Sequence, residues 1–145
     1  KALVISDIHG DVDHLKQILE IYNKEGASRL LILGTFAGYF STINDDEVAD
    51  LLNKYSKEIS AVRGNCDNER IEKLLQFALL DVRHINLNGK VITLTHGHLY
   101  DKYHLPEYCG DIFLSGHTHY GMITKQDGKI FANPGSISRP RNGSE

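Results

Sequence analysis

Apolar residues gather in short runs along this chain, and the spacing between runs decides what each becomes. Ala2-Leu3-Val4-Ile5, Leu30 to Leu33 and Ile59 to Arg63 are continuous stretches of the kind found in strands buried on both faces of a sheet. Between them, apolar positions recur at helical spacing: Val12, Leu15, Ile18, Leu19 and Tyr22, then Val48, Leu51, Leu52 and Tyr55. Ile71, Leu74 and Leu75 repeat the pattern after the third run. Asp11 is placed to cap the first helix and Gly26 to stop it, while Asp45-Asp46-Glu47 opens the second with charges that oppose its dipole. Strand, loop and helix alternate three times, which predicts an α/β parallel sheet.

The second half changes character. Val82 to Leu87 and Lys90 to Thr95 are joined by Asn88-Gly89, a strong hairpin signal, and a further hairpin is expected to turn at Asp127-Gly128. Ile112-Phe113-Leu114 reads as a buried strand, and Asn133-Pro134-Gly135-Ser136 suits a type II turn. The expected fold class is therefore α/β, with mixed sheet pairing, helices outside and no internal repeat.

Composition narrows the functions. The 145 residues suffice for one domain, residues 1–145, with a sizeable core. A net charge of −3 leaves no basic footprint for nucleic acid or an anionic membrane. No apolar run approaches the ~20 residues of a membrane helix. The first apolar run passes directly into Ser6-Asp7, so no signal peptide is expected. Cys66 and Cys109 lack CxxC spacing and suit a reducing, cytoplasmic compartment, with a single disulfide left open.

The chemistry lies at the strand ends. Asp7 and His9 follow the first run, Asn65 the third, His96 the hairpin, and His117 and His119 the run ending at Leu114. Residues two apart in an extended or turning segment face the same way, so His117 and His119 are expected to share a pocket. Ligands of α/β sheets collect outside the carboxyl ends of strands. Nitrogen and oxygen donors from four segments converging there suit a pair of divalent metal ions. Other readings remain for single residues: Asp67 is expected to cap the helix beginning near Glu69, and Arg139 and Arg141 to be solvated charges, with contact to a phosphate as the alternative.

Asp7-x-His9-Gly10, Gly64-Asn65-x-Asp67, Thr95-His96-Gly97-His98 and Gly116-His117-x-His119, in this order, resemble the calcineurin-like metallophosphoesterases. Ala61 to Asp67 and the closing Asn133-Pro134-Gly135-Ser136 are similar to the small bacterial and archaeal phosphodiesterase branch. The resemblance implies two mixed β-sheets packed as a sandwich flanked by helices, with a dinuclear centre at one end. It implies hydrolysis of a small phosphodiester by a metal-bound hydroxide, with two divalent ions, Mn2+ first and Mg2+, Ni2+, Fe2+ or Zn2+ as alternatives. Carried over residue by residue, one ion takes Asp7, His9 and His119, and the other Asn65, His96 and His117. His98 and Asn65 contact the phosphate, and Cys66 stands where many members carry a catalytic histidine acid.

The chain also departs from that pattern. The family has Gly-Asp after the second strand, the aspartate bridging both ions; here the pair is Gly34-Thr35. Two dications ~4 Å apart repel by roughly 17 kcal/mol at an effective dielectric near 20, so the missing anion is expected to weaken or empty one site and reduce turnover. Asp45 and Asp46 fit a helix start better than a replacement role. Cys66 is a weaker acid than a histidinium and should favour good leaving groups. The branch normally adds closing strands after the Arg139-Pro140-Arg141 stretch, so the last strands of the domain are expected to be missing here. The rival expectation is a catalytically degenerate member that binds proteins, as the retromer subunit of this fold does. No membrane or nucleic-acid partner is expected, and self-association is left open.

Overall fold

The structure is a computed structural model and describes residues 1–141 and 143. Ala2–Ile5 (β1), Arg29–Ile32 (β2), Ile59–Val62 (β3) and Leu79–Leu80 (β4) form a wholly parallel sheet in that order. Val12–Lys24 (α1), Asp45–Asn53 (α2) and Glu69–Leu74 (α3) connect its strands. Val82–Leu87 (β5), Lys90–Thr95 (β6), Ile112–Leu114 (β7), Gly121–Gln126 (β8) and Lys129–Pro134 (β9) form a second, mixed sheet ordered β5-β6-β7-β9-β8. The α/β class and the paired sheets match the expectation. The two-residue β4 does not stand out in the sequence, because so short a strand has no periodicity to read.

Alternation along β2 shows how the layers join. Leu30 and Ile32 belong to the cluster shared with Leu15, Leu19, Val48, Leu52 and Ile71 of the helices. Leu31, with Leu33 just beyond the strand, points the other way and meets Val62, Ile92, Leu94 and Leu114 between the two sheets. Each such leucine, fully buried, contributes about 1.5–3 kcal/mol. Local signals fix the ends of the elements. The Asp11 carboxylate accepts from the His14 N–H at 3.1 Å, and Gly26 takes a left-handed φ of 62°. Asn88 and Gly89 have φ of 53° and 77°, and Asp127 and Gly128 have 52° and 77°, as tight hairpins with primed turns require.

One expectation is corrected. Asn68, not Asp67, caps α3: its side chain accepts from the N–H groups of Arg70 and Ile71. Asp67 turns inward and accepts from the N–H groups of Phe36 (2.7 Å), Ala37 (3.1 Å) and Gly64 (2.8 Å). A carboxylate satisfied by three backbone donors is worth more there than at an exposed helix end. It ties the loop after β2 to the loop after β3, and both loops lead into the site.

Candidate metal centre

Parallel pairing makes β1, β2 and β3 end on one edge, and β6 and β7 deliver their carboxyl ends beside it. Asp7, Thr35, Asn65, His96 and the segment 115–119 therefore meet although they are far apart in the chain. The meeting is held in an unusual backbone: Asp7, His9, His117 and His119 have φ of 56°, 47°, 68° and 66°. Non-glycine residues there cost of order 1–3 kcal/mol each, and such strain concentrates at functional sites. Gly116 allows the close approach, since a Cβ there would collide with Ser6 Oγ and lie 2.9 Å from Asp7 Oδ2. The Asn133 amide holds the same turn by donating to Gly116 O at 2.8 Å and Thr118 Oγ1 at 3.1 Å.

Asp7 stands at the centre, almost completely buried. Its Oδ2 accepts from Ser6 Oγ at 2.6 Å and from the His117 N–H at 3.0 Å. Its Oδ1 accepts no hydrogen bond and faces three imidazole nitrogens: His9 Nε2 at 3.4 Å, His119 Nε2 at 3.4 Å and His96 Nε2 at 3.8 Å. Burial opposes its ionisation, but His9, His96, Ser6 and His119 together hold its carboxyl below the ordinary range.

Backbone carbonyls settle where the protons lie. His96 Nδ1 is 2.6 Å from Leu33 O and His119 Nδ1 is 3.0 Å from Arg139 O. A carbonyl can only accept, so each Nδ1 carries the hydrogen, and in the neutral ring Nε2 presents a lone pair. Burial pushes His96 down to about 4, so that ring is neutral at pH 7. Its Nε2 also meets Asn65 Oδ1 at 2.9 Å and Thr35 Oγ1 at 3.4 Å. His96 Nε2 thus presents a lone pair to the hollow beside Asp7 Oδ1. Two donors held ~2.1 Å from one ion are ~3.0 Å apart at a right angle and ~3.4 Å apart at the tetrahedral angle. The observed separations of 2.9 and 3.4 Å fit a cation in that hollow.

Asp7, His9 and His119 offer ligand atoms within 4.8 Å of one another. His117 belongs to the other side: its ring lies 5.0 Å from that of His96, whereas His119 lies 5.3 Å from His9. His117 is exposed and His119 buried, and both sit in left-handed turn conformations rather than an extended strand. They line one cavity of about 490 Å3 but address its two halves. His98 is exposed, 5.3 Å from the His96 ring and 6.1 Å from that of His117, and burial followed by His117 pushes it down. Cys66 is half-buried in the turn after β3; burial, then Asp67 and Asp7, pushes its thiol up. Both cysteines are free, so no disulfide forms.

Thr35 is fully buried at the position of the expected bridging carboxylate. Asp45 and Asp46 do not replace it. Asp45 accepts from the Gly38 N–H at 3.4 Å and from the Arg70 guanidinium at 3.3 Å, and Asp46 pairs with the same arginine. Sequence reasoning missed Tyr39, which lines the cavity; Arg141, exposed as expected of a solvated charge, lies at the same cavity. Tyr39 stacks on His9 with centroids 3.8 Å apart and brings its hydroxyl within 3.4 Å of His119 Nε2.

Compared with protein families, residues 1–145 match the calcineurin-like phosphoesterase superfamily domain. The chain belongs to this superfamily. As a member of it the chain is a metallophosphoesterase, a family that uses divalent metals. It is 36% identical over 152 residues to phosphodiesterase YfcE of Escherichia coli, which covers 99% of the chain and 82% of that protein. The solved structure of the E. coli phosphoesterase YfcE superposes with a TM-score of 0.89 at 32% identity, covering 98% of this chain and 82% of that one. Wild-type Vps29 of Entamoeba histolytica, in a structure complexed with Zn2+, superposes with a TM-score of 0.67 at 26% identity, covering 93% and 73%. Among the described residues, no helix of this phosphoesterase is long and apolar enough to cross a membrane.

Proposed function

We propose that this phosphoesterase is a metal-dependent phosphodiesterase acting on a small or activated diester. The observation that carries the reading is the Asp7 carboxylate oxygen without a hydrogen-bond donor, facing three imidazole nitrogens at 3.4 to 3.8 Å. A buried carboxylate oxygen that accepts no hydrogen bond is costly unless a cation shares it. Asp7, His9 and His119 hold one ion; Asn65, His96 and His117 hold a second, weaker one beside neutral Thr35, with Mn2+ the first candidate. Bound there, divalent ions activate water and neutralise the phosphoryl group for in-line displacement. The protein's own residues orient the rest. Asn65 and His98 hold the phosphoryl oxygens, and the Cys66 thiol keeps its proton for the departing alkoxide. That thiol is a modest acid, so esters with good leaving groups react fastest.

Elemental analysis together with hydrolysis of bis(p-nitrophenyl) phosphate tests this. The expected result is at least one ion per chain and turnover that is abolished by chelation and by His119→Ala. Neither metal nor turnover, in a chain that is folded, overturns it. The second reading, a protein-binding scaffold on the same fold, is favoured by one observation: the buried hydroxyl of Thr35 at the meeting point of the two subsites. It requires a stable fold and no hydrolysis at any metal concentration.

A further inference from the structure

A second cavity, of about 500 Å3, adjoins the metal centre and shares the His9 wall with it. The turn at Gly10, the first residues of α1, Asn44 and Glu47 at the start of α2, and Ser138-Arg139 enclose the rest. Among the described residues Val12 is the one apolar side chain of this wall, and it is itself buried. Cys66, the proton donor to the departing alkoxide in the reading above, does not line it. We propose that this cavity holds the alcohol that stays on phosphorus, and that it selects a polyhydroxylated alcohol, such as glycerol or a sugar, over an apolar one. This rests on the phosphodiesterase reading above.

The charges of the wall decide what fits. Lys16 and Glu47 pair with each other at 3.1 Å. The Asp11 carboxylate is matched by His14, through its N–H at 3.1 Å and its Nδ1 at 2.7 Å. Among the described residues Asp13 and Arg139 form no ion pair, with each other or with a neighbour. The uncommitted charges are thus one of each sign, so the cavity gives no net preference to an ion. A carboxylate only accepts and a guanidinium only donates, whereas a hydroxyl does both, so a group carrying several hydroxyls satisfies the two together. Asn44 adds to this: its Nδ2 donates to Gly10 O at 3.1 Å, which leaves its Oδ1 as a further acceptor. An aromatic ring in the same place would cover these groups without bonding to them. Arg139 is also held in position. Its guanidinium lies 4.7 Å from the centroid of the Tyr39 ring, which stacks on His9. Its N–H donates to Ser136 Oγ at 3.0 Å, and its carbonyl accepts from His119 Nδ1 at 3.0 Å. The segment that orients one ligand of the first ion therefore also sets the guanidinium at the cavity. Since His9 is wall to both spaces, an alcohol esterified to a phosphoryl group at that ion has its carbon chain beside this one.

Hydrolysis of glyceryl, ethyl and phenyl p-nitrophenyl phosphate by the Mn2+-loaded protein tests the proposal, because the leaving group is the same and only the retained alcohol differs. The glyceryl ester is expected to show kcat/KM about tenfold above the ethyl ester, mostly through KM, as hydrogen bonds to two charged groups imply. The phenyl ester should show no such gain. Arg139→Met and Asp13→Asn are each expected to cut the glyceryl-to-ethyl ratio about threefold or more, and Arg139→Lys to keep part of it. The ratio decides, since the Arg139 carbonyl also braces His119 and a structural disturbance would slow all three esters alike. A parent that prefers glyceryl by less than about twofold, or phenyl as strongly as glyceryl, overturns the proposal; so does a preference that both variants leave unchanged. A folded, metal-loaded parent that hydrolyses none of the esters refutes the phosphodiesterase reading instead. Amide NMR then decides the cavity: glycerol 1-phosphate, and not ethyl phosphate, should shift the resonances of Gly10, Asp13 and Arg139, and equal shifts with both probes overturn the site.

Discussion

Replacing Thr35 with aspartate should move stability in opposite directions with and without metal. Thr35 Oγ1 and Asp7 Oδ1 flank His96 Nε2 at 3.4 and 3.8 Å, so the two oxygens lie at most about 7 Å apart. A second carboxylate at that distance repels the first by ~2 kcal/mol at an effective dielectric near 20. Desolvation of the new charge in a fully buried position adds to that cost. Crowding works the same way, since Gly64 packs directly on Thr35. The metal-free Thr35→Asp protein should therefore unfold several degrees lower than the parent after chelation. Saturating Mn2+ should reverse the order, because an anion beside both subsites raises occupancy, and bound ions stabilise by RT ln(1 + [L]/Kd). Thermal melts with and without metal, with elemental analysis of the loaded protein, measure both arms; the hydrolysis rate should rise with occupancy. If the metal-free variant were as stable as the parent and metal stoichiometry did not change, the placement of Thr35 between two ion subsites would be wrong.

Three further outcomes follow from the same geometry. His96 is held neutral with a pKa near 4 against an ordinary value of 6.5, so the unfolded chain binds the extra proton between those limits. Stability of the metal-free protein should thus be complete above pH 6.5 and fall by about 3 kcal/mol as pH drops towards 4, and urea melts of His96→Gln should show a shallower dependence. Asp67→Ala strands three backbone N–H groups and should cost about 2–4 kcal/mol, with faster hydrogen exchange at Phe36 and Ala37. Gly116→Ala drives a methyl group into Ser6 and towards Asp7 and should lower metal affinity more than tenfold, read by competition with a chelating dye.

Much of the fold is legible because its signals are local. Asn88-Gly89 and Asp127-Gly128 demand positive φ and therefore announce their hairpins, and the three apolar runs mark strands that helices must cover on one face. The candidate ligands are legible too, since each follows a strand and a parallel sheet brings strand ends together. What stays hidden depends on pairing between distant segments. Asp67 resembles a helix cap in sequence; only the loop after β2, folded over it, turns it into a brace. Tyr39 lies in a loop without periodicity, and nothing local says that its ring will settle on His9. Arg141 reads as a solvated charge, with phosphate contact the lesser alternative, and nothing local shows the bridge to Tyr120 that sets it beside the cavity.

The left-handed backbone at Asp7, His9, His117 and His119 bears most directly on function. Asp and His tolerate it better than most non-glycine residues but still at a cost, so four such residues in one site are held there by the packing around them. Ser136 Oγ and Ser138 Oγ both point at the Asp7 carbonyl, at 3.0 and 2.9 Å, and Asn133 secures the turn that carries His117 and His119. Those contacts join the start of the chain to its last described segment, so the donor set exists only when the whole domain is folded. An ion bound in the hollow would satisfy the Asp7 oxygen that folding leaves without a donor, and metal binding would then be part of the folding free energy. The chain should accordingly show its largest metal-induced stabilisation in the parent and almost none in Asp7→Ala, read as the shift in melting temperature on adding Mn2+.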